Sequence, residues 1–351
     1  MITTKRMGRG NNQKVLLGIS GGVDSGVAAY LLKKMGYDVI GAYLKLHSYS
    51  NSDDARNLAE ALDIQFIVLD MEQEFKKEII EYFISEYEKG RTPNPCTACN
   101  RYIKFDSLTK KAKELGIEYV ATGHYANIQK KGGRYLLKKA KDKSKDQSYV
   151  LYNLTQNQLS KSLFPLGQLT KKEVRDIAKK IGLKVASKPD SQEICFIQDN
   201  NYKGYIEENS SNKSIPGEFI SKDGTILGYH KGISNYTIGQ RRGLGIVTGS
   251  PMFVIDIIPE TNQIVLGSQE ELLSKELIVR NLNWISIENL MKEKDVEVKI
   301  RYRAKESKAK IIPLGNDSVK VIFKSPQRAI TKGQSAVFYN KDIVVGGGII
   351  S

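Results

Sequence analysis

Short apolar stretches alternate with amphipathic helical stretches through the first half of this chain. Strands are predicted at Val15–Ile19, Asp38–Leu46, Gln65–Leu69 and Glu118–Thr122, and helices at Val27–Met35, Asp53–Leu62, Glu74–Glu88 and Arg101–Leu115. Strands that alternate with helices over short connections form a parallel sheet with helices on both faces. We therefore predict an α/β, doubly wound parallel sheet, a fold in which ligands bind at the carboxyl ends of the strands.

The second half of the chain has a different pattern. Thr170 and Glu173 form a capping-box pattern, which predicts a helix that runs to Ile181. Beyond about Asn200 glycines become frequent and helical periodicity fades. Strands are predicted at Met252–Ile258, Gln263–Leu266, Val296–Tyr302, Lys308–Pro313, Val319–Phe323 and Ala336–Tyr339. Because the strand at 296–302 alternates apolar and charged residues, we predict a half-buried sheet in a small barrel or sandwich.

Composition narrows the class of protein. The 351 residues include 54 Lys and Arg against 39 Asp and Glu, a net charge of +15, which points to a polyanionic partner. With 40% hydrophobic residues, the chain is not expected to be disordered, and no apolar run approaches the roughly 20 residues of a membrane span. The polar opening stretch and the odd count of 3 cysteines predict a cytoplasmic protein without a disulfide framework.

A glycine- and serine-rich segment lies between the first strand and the first helix. It reads Gly18-Ile19-Ser20-Gly21-Gly22-Val23-Asp24-Ser25. Two consecutive glycines let backbone N–H groups approach an anion closely, and the helix N-terminus behind them adds partial positive charge. The segment lacks the lysine of a P-loop and the spacing of a dinucleotide fingerprint. We predict a phosphate-binding loop of another kind.

The three cysteines leave several hypotheses open. Cys96 and Cys99 have the spacing of a redox motif, but they follow a proline-rich loop rather than a strand. We expect no structural zinc, because Cys195 stands alone and no histidine pair has ligand spacing. A third hypothesis pairs Cys99 with Cys195, and Lys104 and Arg101 would lower the pKa of Cys99 in that case. An ordinary buried cysteine also remains open.

The phosphate loop resembles that of the ATP pyrophosphatases, which cleave ATP between the α and β phosphates. Other segments resemble the tRNA-specific 2-thiouridylases in particular. These segments are 90–100, 121–125, 145–149, 163–167, 194–197, 237–245, 301–303 and 333–339. The resemblance runs from Gly18 to Gly348, and it implies a C-terminal β-barrel and domains at 1–202, 203–272 and 273–351.

The resemblance also implies the site residues. ATP would be held by Gly18 through Ser25, Leu44 and Gly123, with Asp24 as a Mg²⁺ ligand. Cys195 would accept sulfur as a persulfide and Cys99 would form a disulfide with it as the sulfur leaves. The target base would contact Asn94, Pro95 and Cys96. The implied tRNA contacts are His124, Lys145, Asp146, Gln147, Arg301, Tyr302 and Gln334.

The implied reaction is ATP-dependent 2-thiolation of the wobble uridine in Lys, Glu and Gln tRNAs. A cysteine desulfurase or a sulfur-relay carrier protein would supply the sulfur. Many members of this family are expected to carry Asp where this chain has Cys96. Two alternatives are an ATP pyrophosphatase acting on a small metabolite and a non-catalytic RNA-binding module. The first leaves the cysteines and the basic tail unexplained, and the second leaves the phosphate loop without a role.

Overall fold

The structure is a computed structural model, and it describes residues 12–187, 194–197, 199, 201–246, 249–315 and 317–351. The strands in the first half are β1 (Lys14–Gly18), β2 (Asp38–Lys45), β3 (Gln65–Asp70), β4 (Tyr119–Thr122), β5 (Asn127–Lys131), β6 (Arg134–Lys138) and β7 (Ser162–Leu163). The strands that follow are β8 (Gly217–Ile220), β9 (Ile226–His230), β10 (Phe253–Ile258), β11 (Gln263–Gly267), β12 (Leu273–Trp284), β13 (Lys294–Lys299), β14 (Ser307–Pro313), β15 (Ser318–Arg328), β16 (Ser335–Asn340) and β17 (Ile343–Ile350).

The described part of the chain contains nine α-helices and two π-helical segments. The α-helices are α1 (Val23–Lys34), α2 (Asp53–Ala61), α3 (Glu72–Phe75), α4 (Tyr82–Glu88), α5 (Pro95–Ala98), α6 (Asp106–Glu114), α7 (Gln156–Lys161), α8 (Lys171–Lys180) and α9 (Tyr202–Asn209). The π-helical segments are π1 (Lys76–Glu81), between α3 and α4, and π2 (Cys99–Phe105), between α5 and α6. In the described part of the chain, no helix combines the length and apolar character that a membrane crossing requires.

The first domain is built on a parallel sheet of strand order β3-β2-β1-β4-β7. Val15 and Leu17 of β1 pack into a core with residues of α1, α2 and α8, whereas Leu16 packs into a second core with residues of α6. Alternate residues of a strand point to opposite faces, so both faces of the sheet are covered by helices. The predicted doubly wound parallel sheet is confirmed.

The chain order places a crevice beside β1. The chain runs from β1 outward through β2 and β3, and then returns to place β4 on the other side of β1. Connections that leave two adjacent strands in opposite directions open a crevice at their carboxyl ends, where ligands bind. The phosphate loop follows β1, and Gly123 follows β4 directly. The fold therefore brings the two predicted nucleotide-binding segments to the same crevice.

Two helices predicted as continuous are interrupted by π-helical segments. The predicted helix at 74–88 is α3, π1 and α4, and that at 101–115 is π2 and α6. Phe75, Ile79 and Phe83 are spaced by four residues and are all fully buried. Four residues make slightly more than one turn of an α-helix, which has 3.6 residues per turn, and slightly less than one turn of the wider π-helix. Because the two helix types alternate here, the two angular offsets cancel and the three side chains stay on one face.

The second half of the chain forms the predicted small β-rich domain and β-barrel. The small sheet has the order β10-β11-β8-β9, and the barrel runs β12-β15-β14-β13-β16-β17 and closes through β12 and β17. The predicted strand at 296–302 ends at Lys299, so Arg301 and Tyr302 lie in the following turn. The hairpin β5–β6 of the first domain extends the barrel sheet through β17.

The predicted capping box at the start of α8 is confirmed. The Thr170 hydroxyl accepts a hydrogen bond from the Glu173 N–H at 3.2 Å, and Glu173 Oε2 accepts one from the Thr170 N–H at 2.6 Å. These bonds satisfy two N–H groups that an uncapped helix start leaves without partners.

We expect Thr170→Ala to lower the free energy of unfolding of the first domain by about 1 kcal/mol, because the capping acceptor is lost. Thr170→Ser keeps the hydroxyl and is the matched control. Urea unfolding followed by circular dichroism measures both variants. Equal stability of Thr170→Ala and the natural protein would show that the cap does not stabilise α8.

Candidate functional site

The phosphate loop and the start of α1 form one wall of the crevice. Gly21 has φ +73°, and a Cβ on it would lie 2.6 Å from Asp54 Cβ. Glycine is therefore required there both for the left-handed backbone and for the contact with α2. Gly22 is the N-cap of α1, and the first N–H groups of a helix have no acceptor within the helix. The wall offers N–H donors and the positive end of a helix dipole.

The serine hydroxyls stabilise the loop. Ser25 Oγ donates to the Gly22 carbonyl at 3.0 Å and accepts a hydrogen bond from the Ser20 N–H at 3.3 Å. The two serine oxygens lie 3.4 Å apart. The loop is thus held in a fixed shape by its own side chains, with its remaining N–H groups available to an anion.

Gly123 touches the phosphate loop from the other side of the crevice. A Cβ at Gly123 would lie 3.0 Å from both Asp24 C and Ser25 N. A side chain there would therefore collide with the backbone. Leu44, the third predicted contact of the nucleotide, lies half-buried near the end of β2 and packs against two cores of the first domain. The structure thus places Gly123 against the phosphate loop, and Leu44 lies two residues beyond Ala42, whose carbonyl accepts the Ile19 N–H.

Asp24 is bound by a buried lysine. Lys171 Nζ lies 2.8 Å from each of the two carboxylate oxygens, and the Tyr125 hydroxyl donates to Asp24 Oδ1 at 2.7 Å. The side chain of Lys171 is 10% exposed and that of Asp24 is 33% exposed. Tyr125 is held in turn by Gln147, whose Oε1 accepts from the Tyr125 N–H at 2.9 Å.

This arrangement does not fit a resident magnesium ion at Asp24. The Lys171 ammonium lies 2.8 Å from both carboxylate oxygens, and Oδ1 also accepts the Tyr125 hydroxyl, so the adjacent positive charge disfavours a divalent cation there. Within the residues that the structure describes, no group of three or more His, Cys, Asp or Glu is placed to hold a metal ion.

Cys99 and Cys195, which the resemblance paired, lie at one aromatic cluster, although 96 positions separate them. Cys99 is 5% exposed and belongs to the same core as Phe196 and Ile197, the neighbours of Cys195. The Phe196 ring lies 5.7 Å from that of Phe75 and 5.3 Å from that of Phe83. The segment 194–197 is therefore packed on α3, π1 and π2. Cys195 and Cys96 are exposed at this surface, and all three cysteines are free.

Lys104 is the cation of this cluster. Part of each residue reaches the surface, but the protein packed around the Cys96 and Cys195 thiols removes much of their water and raises their pKa, and the Lys104 charge opposes that rise at both. Burial would lower the pKa of Lys104 itself, but nearby Cys99, Cys96 and Cys195 raise it above its ordinary value. Cys99 and Lys104 are the first and sixth residues of π2. Five residues span little more than one turn of the wide π-helix, so both lie near one face.

The expectation of a lowered pKa at Cys99 is wrong. Burial raises the pKa of Cys99 to about 12, and Lys104 offsets only part of that effect. The physical reason is that Cys99 begins a buried π-helical segment behind α5, rather than lying exposed at a helix N-terminus. In this conformation Cys99 is a protonated thiol, and only a change of its surroundings would activate it.

His124 lies between the crevice and the cysteines. Its Nδ1 lies 2.8 Å from Thr122 Oγ1, and its ring packs beside Phe105 and Phe164. Burial, aided by the Lys104 charge, lowers the pKa of His124 to about 3, so its imidazole is neutral at physiological pH. His124 can therefore offer hydrogen bonds but no positive charge to an RNA phosphate.

The three residues predicted to contact the base form the start of α5. Asn94 is the N-cap, and its Oδ1 accepts a hydrogen bond from the Thr97 N–H at 3.3 Å. Pro95 occupies the first helical position, where its fixed φ suits a helix and its missing N–H is not needed. Cys96 follows. The C-terminal barrel contacts the residues just before this helix, where the Gln334 amide donates to the Thr92 and Pro93 carbonyls.

The predicted tRNA contacts fall into different environments. Tyr302 is 38% exposed, and its ring lies 6.0 Å from that of Tyr149. Arg301 is half-buried, and Nη2 donates to the Arg328 carbonyl at 2.5 Å. Its Nε is buried and has no partner among the described residues. A buried donor without an acceptor is costly, and an RNA phosphate or base would supply one.

The loop at 145–147 serves the protein's own structure. Asp146 is 7% exposed, and its carboxylate accepts hydrogen bonds from the Ala140 N–H at 2.9 Å and the Ser148 hydroxyl at 2.7 Å. Lys145 is half-buried, and Gln147 holds Tyr125 as described. The tRNA contacts of this loop stay predictions, and in this conformation the Asp146 oxygens face the protein.

Sequence reasoning missed the functional setting of two residues. Lys171 and Tyr125 were read only as parts of a helix and a motif, yet both bind Asp24. Lys171 follows the capping residue Thr170, and a lysine in the first helical turn opposes the helix dipole. That unfavourable position was the available signal that Lys171 has another partner.

Comparison with known proteins agrees with this geometry. The profile of the tRNA methyl transferase HUP domain matches residues 13–199, that of the tRNA methyl transferase PRC-barrel domain matches 203–268, and that of the aminomethyltransferase beta-barrel domain matches 274–350. A protein of Clostridium perfringens named tRNA-specific 2-thiouridylase MnmA is 54% identical over 96% of this chain and 98% of its own length. One of Clostridioides difficile with the same name is 54% identical over 97% and 98%. Because these relatives match over essentially their whole length, the chain belongs to the family of the tRNA-specific 2-thiouridylases.

Proposed function

We propose that the protein catalyses the ATP-dependent 2-thiolation of the wobble uridine of tRNA. The observation that carries the proposal is the meeting of Cys99 and Cys195 at one cluster beside the crevice that holds the phosphate loop. A nucleotide-activating loop and a sulfur-carrying thiol pair are the two parts that such a reaction needs. The whole-length relatives named tRNA-specific 2-thiouridylase support the substrate.

Activation of the uridine uses the crevice. The C2 carbonyl oxygen of uridine is a poor leaving group, so it first takes AMP from ATP, and pyrophosphate is released. N–H groups of the loop from Gly18 to Ser25 would stabilise the charge that develops on the departing pyrophosphate. Lys171, which is paired with Asp24 of the same loop, would add its positive charge to this environment. Asp24 thus acts as the partner that orients Lys171.

Sulfur transfer uses the two cysteines. The terminal sulfur of a Cys195 persulfide attacks C2 of the adenylated uridine and displaces AMP, which leaves a disulfide between C2 and Cys195. The Cys99 thiolate then attacks the Cys195 sulfur, and its proton is lost. The products are 2-thiouridine and a Cys99–Cys195 disulfide, so the persulfide sulfur is reduced while two thiols are oxidised. A cellular thiol reductant must restore the pair before the next turnover.

The partners follow from the same chemistry. The tRNA, in the Lys, Glu and Gln isoacceptors, supplies the polyanion that the net charge of +15 indicated. The wobble base must leave its stack to reach Cys96, at a cost of a few kcal/mol. Tyr302 is an exposed aromatic at that place, and it could stack on the flipped base. A cysteine desulfurase or a sulfur-relay carrier delivers sulfur to Cys195, which is exposed.

We expect Cys195→Ser and Cys99→Ser to stop turnover at different steps. Both should lower 2-thiouridine formation at least about 100-fold, measured by mass spectrometry of tRNA nucleosides after incubation with ATP and a sulfur donor. Cys99→Ser should still accumulate a persulfide on Cys195, whereas Cys195→Ser should not. Both should bind tRNA like the natural protein. Retained 2-thiouridine in Cys195→Ser would overturn the persulfide role.

Lys104 should control thiol reactivity. Lys104→Met removes the charge that opposes the effect of burial, so the pKa of each thiol rises and the thiolate fraction at pH 8 falls. We expect the alkylation of Cys195 by iodoacetamide to slow at least about threefold, which is half a pKa unit. Lys104→Arg keeps the charge and serves as the control. An unchanged rate in Lys104→Met would show that Lys104 does not act on Cys195.

Lys145 and Arg301 should contribute to the salt dependence of tRNA binding. Each Ala variant should reduce the slope of log affinity against log salt by about 0.7–0.9, the change for one lost phosphate contact. Lys34→Ala is the control, since Lys34 is exposed at the end of α1 remote from the phosphate loop. A slope that does not move in Lys145→Ala or Arg301→Ala would exclude phosphate contacts at that residue.

A further inference from the structure

The segment that leads into α5 is held by a turn of the C-terminal barrel. Gln334 Nε2 donates to the Thr92 carbonyl at 2.8 Å and to the Pro93 carbonyl at 3.2 Å. The Thr92 N–H donates in return to the Lys332 carbonyl at 2.9 Å. Three hydrogen bonds therefore join the turn at 332–334 to the two residues that precede Asn94.

The two backbones are in direct contact at this place. Gly333 has φ +90°, and a Cβ on it would lie 3.0 Å from Thr92 N and 3.1 Å from Arg91 Cβ. Glycine is required at this position because both the left-handed backbone and the lack of space exclude a side chain. The small central domain adds a contact, since Thr92 Oγ1 donates to Thr237 Oγ1 at 3.3 Å. All three regions of the fold meet on Thr92.

The turn itself is fixed to the barrel. The Gly333 N–H donates to the Ile350 carbonyl at 2.9 Å, and the Ile350 N–H donates to the Gln334 carbonyl at 2.8 Å. The next residue, Ser335, begins β16, and its carbonyl accepts the Tyr149 hydroxyl at 2.9 Å. Any displacement of the barrel relative to the first domain is therefore passed to Thr92 and Pro93.

Displacement of these two residues would reach the cysteines. Asn94 caps α5 through the Thr97 N–H, and the fixed φ of Pro95 leaves little freedom between them. Cys96 and Cys99 follow within a single helical turn. The positions of the Cys96 and Cys99 thiols therefore depend on the Thr92 and Pro93 carbonyls, which accept hydrogen bonds from Gln334.

We propose that Gln334 is a positioning residue, which holds the segment at 92–93 and transmits the docking of tRNA on the barrel to Cys96 and Cys99. The Gln334 amide nitrogen has two N–H donors, and the Thr92 and Pro93 carbonyls both accept hydrogen bonds from it. An RNA acceptor at Gln334 competes with these carbonyls, so binding of tRNA loosens the start of α5. The transmission of tRNA docking by Gln334 rests on tRNA being the substrate, which is part of the proposed function. The hydrogen bonds by which Gln334 holds residues 92–93 do not depend on it.

Gln334→Glu tests the hold on the loop without any RNA. The change keeps the size of the side chain but removes both donors and sets a carboxylate against two carbonyl oxygens. Released from the barrel, Cys96 becomes better solvated, so its raised pKa falls and its alkylation by iodoacetamide accelerates at least about threefold. Gln327→Glu is the matched control, since Gln327 lies in the same barrel and bonds only within it. If Gln334→Glu fails to fold, the isosteric Gln334→Met carries the same expectation.

Three further measurements separate positioning from RNA contact. Saturating tRNA should accelerate the alkylation of the buried Cys99 in the natural protein and have no effect on its rate in Gln334→Glu. Single-turnover thiolation should fall at least about tenfold in Gln334→Glu, while tRNA affinity changes less than about threefold. An unchanged Cys96 alkylation rate with weakened tRNA binding would overturn the proposal and make Gln334 a simple RNA contact. If the natural protein forms no 2-thiouridine, the proposed function fails, and the RNA-free alkylation rate still decides whether Gln334 holds the loop.

Discussion

The packing of Phe196 against the rings of Phe75 and Phe83 is the contact on which the chemistry of this fold depends. These rings hold the segment 194–197 against π1 and π2, the Tyr49 hydroxyl donates to the Phe196 carbonyl, and together these contacts bring Cys195 to the core that contains Cys99 across 96 positions of sequence. The same cluster buries Cys99 and raises its pKa. The contacts that bring the thiols together therefore also keep the Cys99 thiol protonated and unreactive in this conformation. Lys104 reduces that rise in pKa without removing it.

The nucleotide crevice and the cysteine cluster are coupled by shared elements. Leu44 of β2 packs against the core that contains Cys99, and Lys104 acts on both His124 and the thiols. The C-terminal barrel completes the arrangement through Gln334, which holds the start of α5. The nucleotide crevice, the cysteine cluster and the C-terminal barrel are therefore parts of one connected structure rather than of three independent domains.

The sequence predicted the parallel sheet, the capping box at Thr170 and a β-rich second half, because each depends on local periodicity or on a short motif. The choice of a barrel rather than a sandwich came from the resemblance. The sequence did not predict the π-helical segments, since the extra residue in each turn is stabilised by tertiary burial of Phe75, Ile79 and Phe83. The ion pair of Asp24 with Lys171 and the burial of Cys99 also arise from contacts between remote segments. The pairing of the cysteines came from resemblance, because spacing alone left it open.

In the proposed reaction, Cys195 carries the sulfur, and the Cys99 sulfur then takes the place of the transferred sulfur on Cys195. The most direct measurement is a single turnover of enzyme loaded with isotopically labelled persulfide on Cys195, with mass spectrometry of both tRNA and protein. We expect one labelled 2-thiouridine for each Cys99–Cys195 disulfide formed. Labelled 2-thiouridine with Cys99 still a free thiol would contradict it.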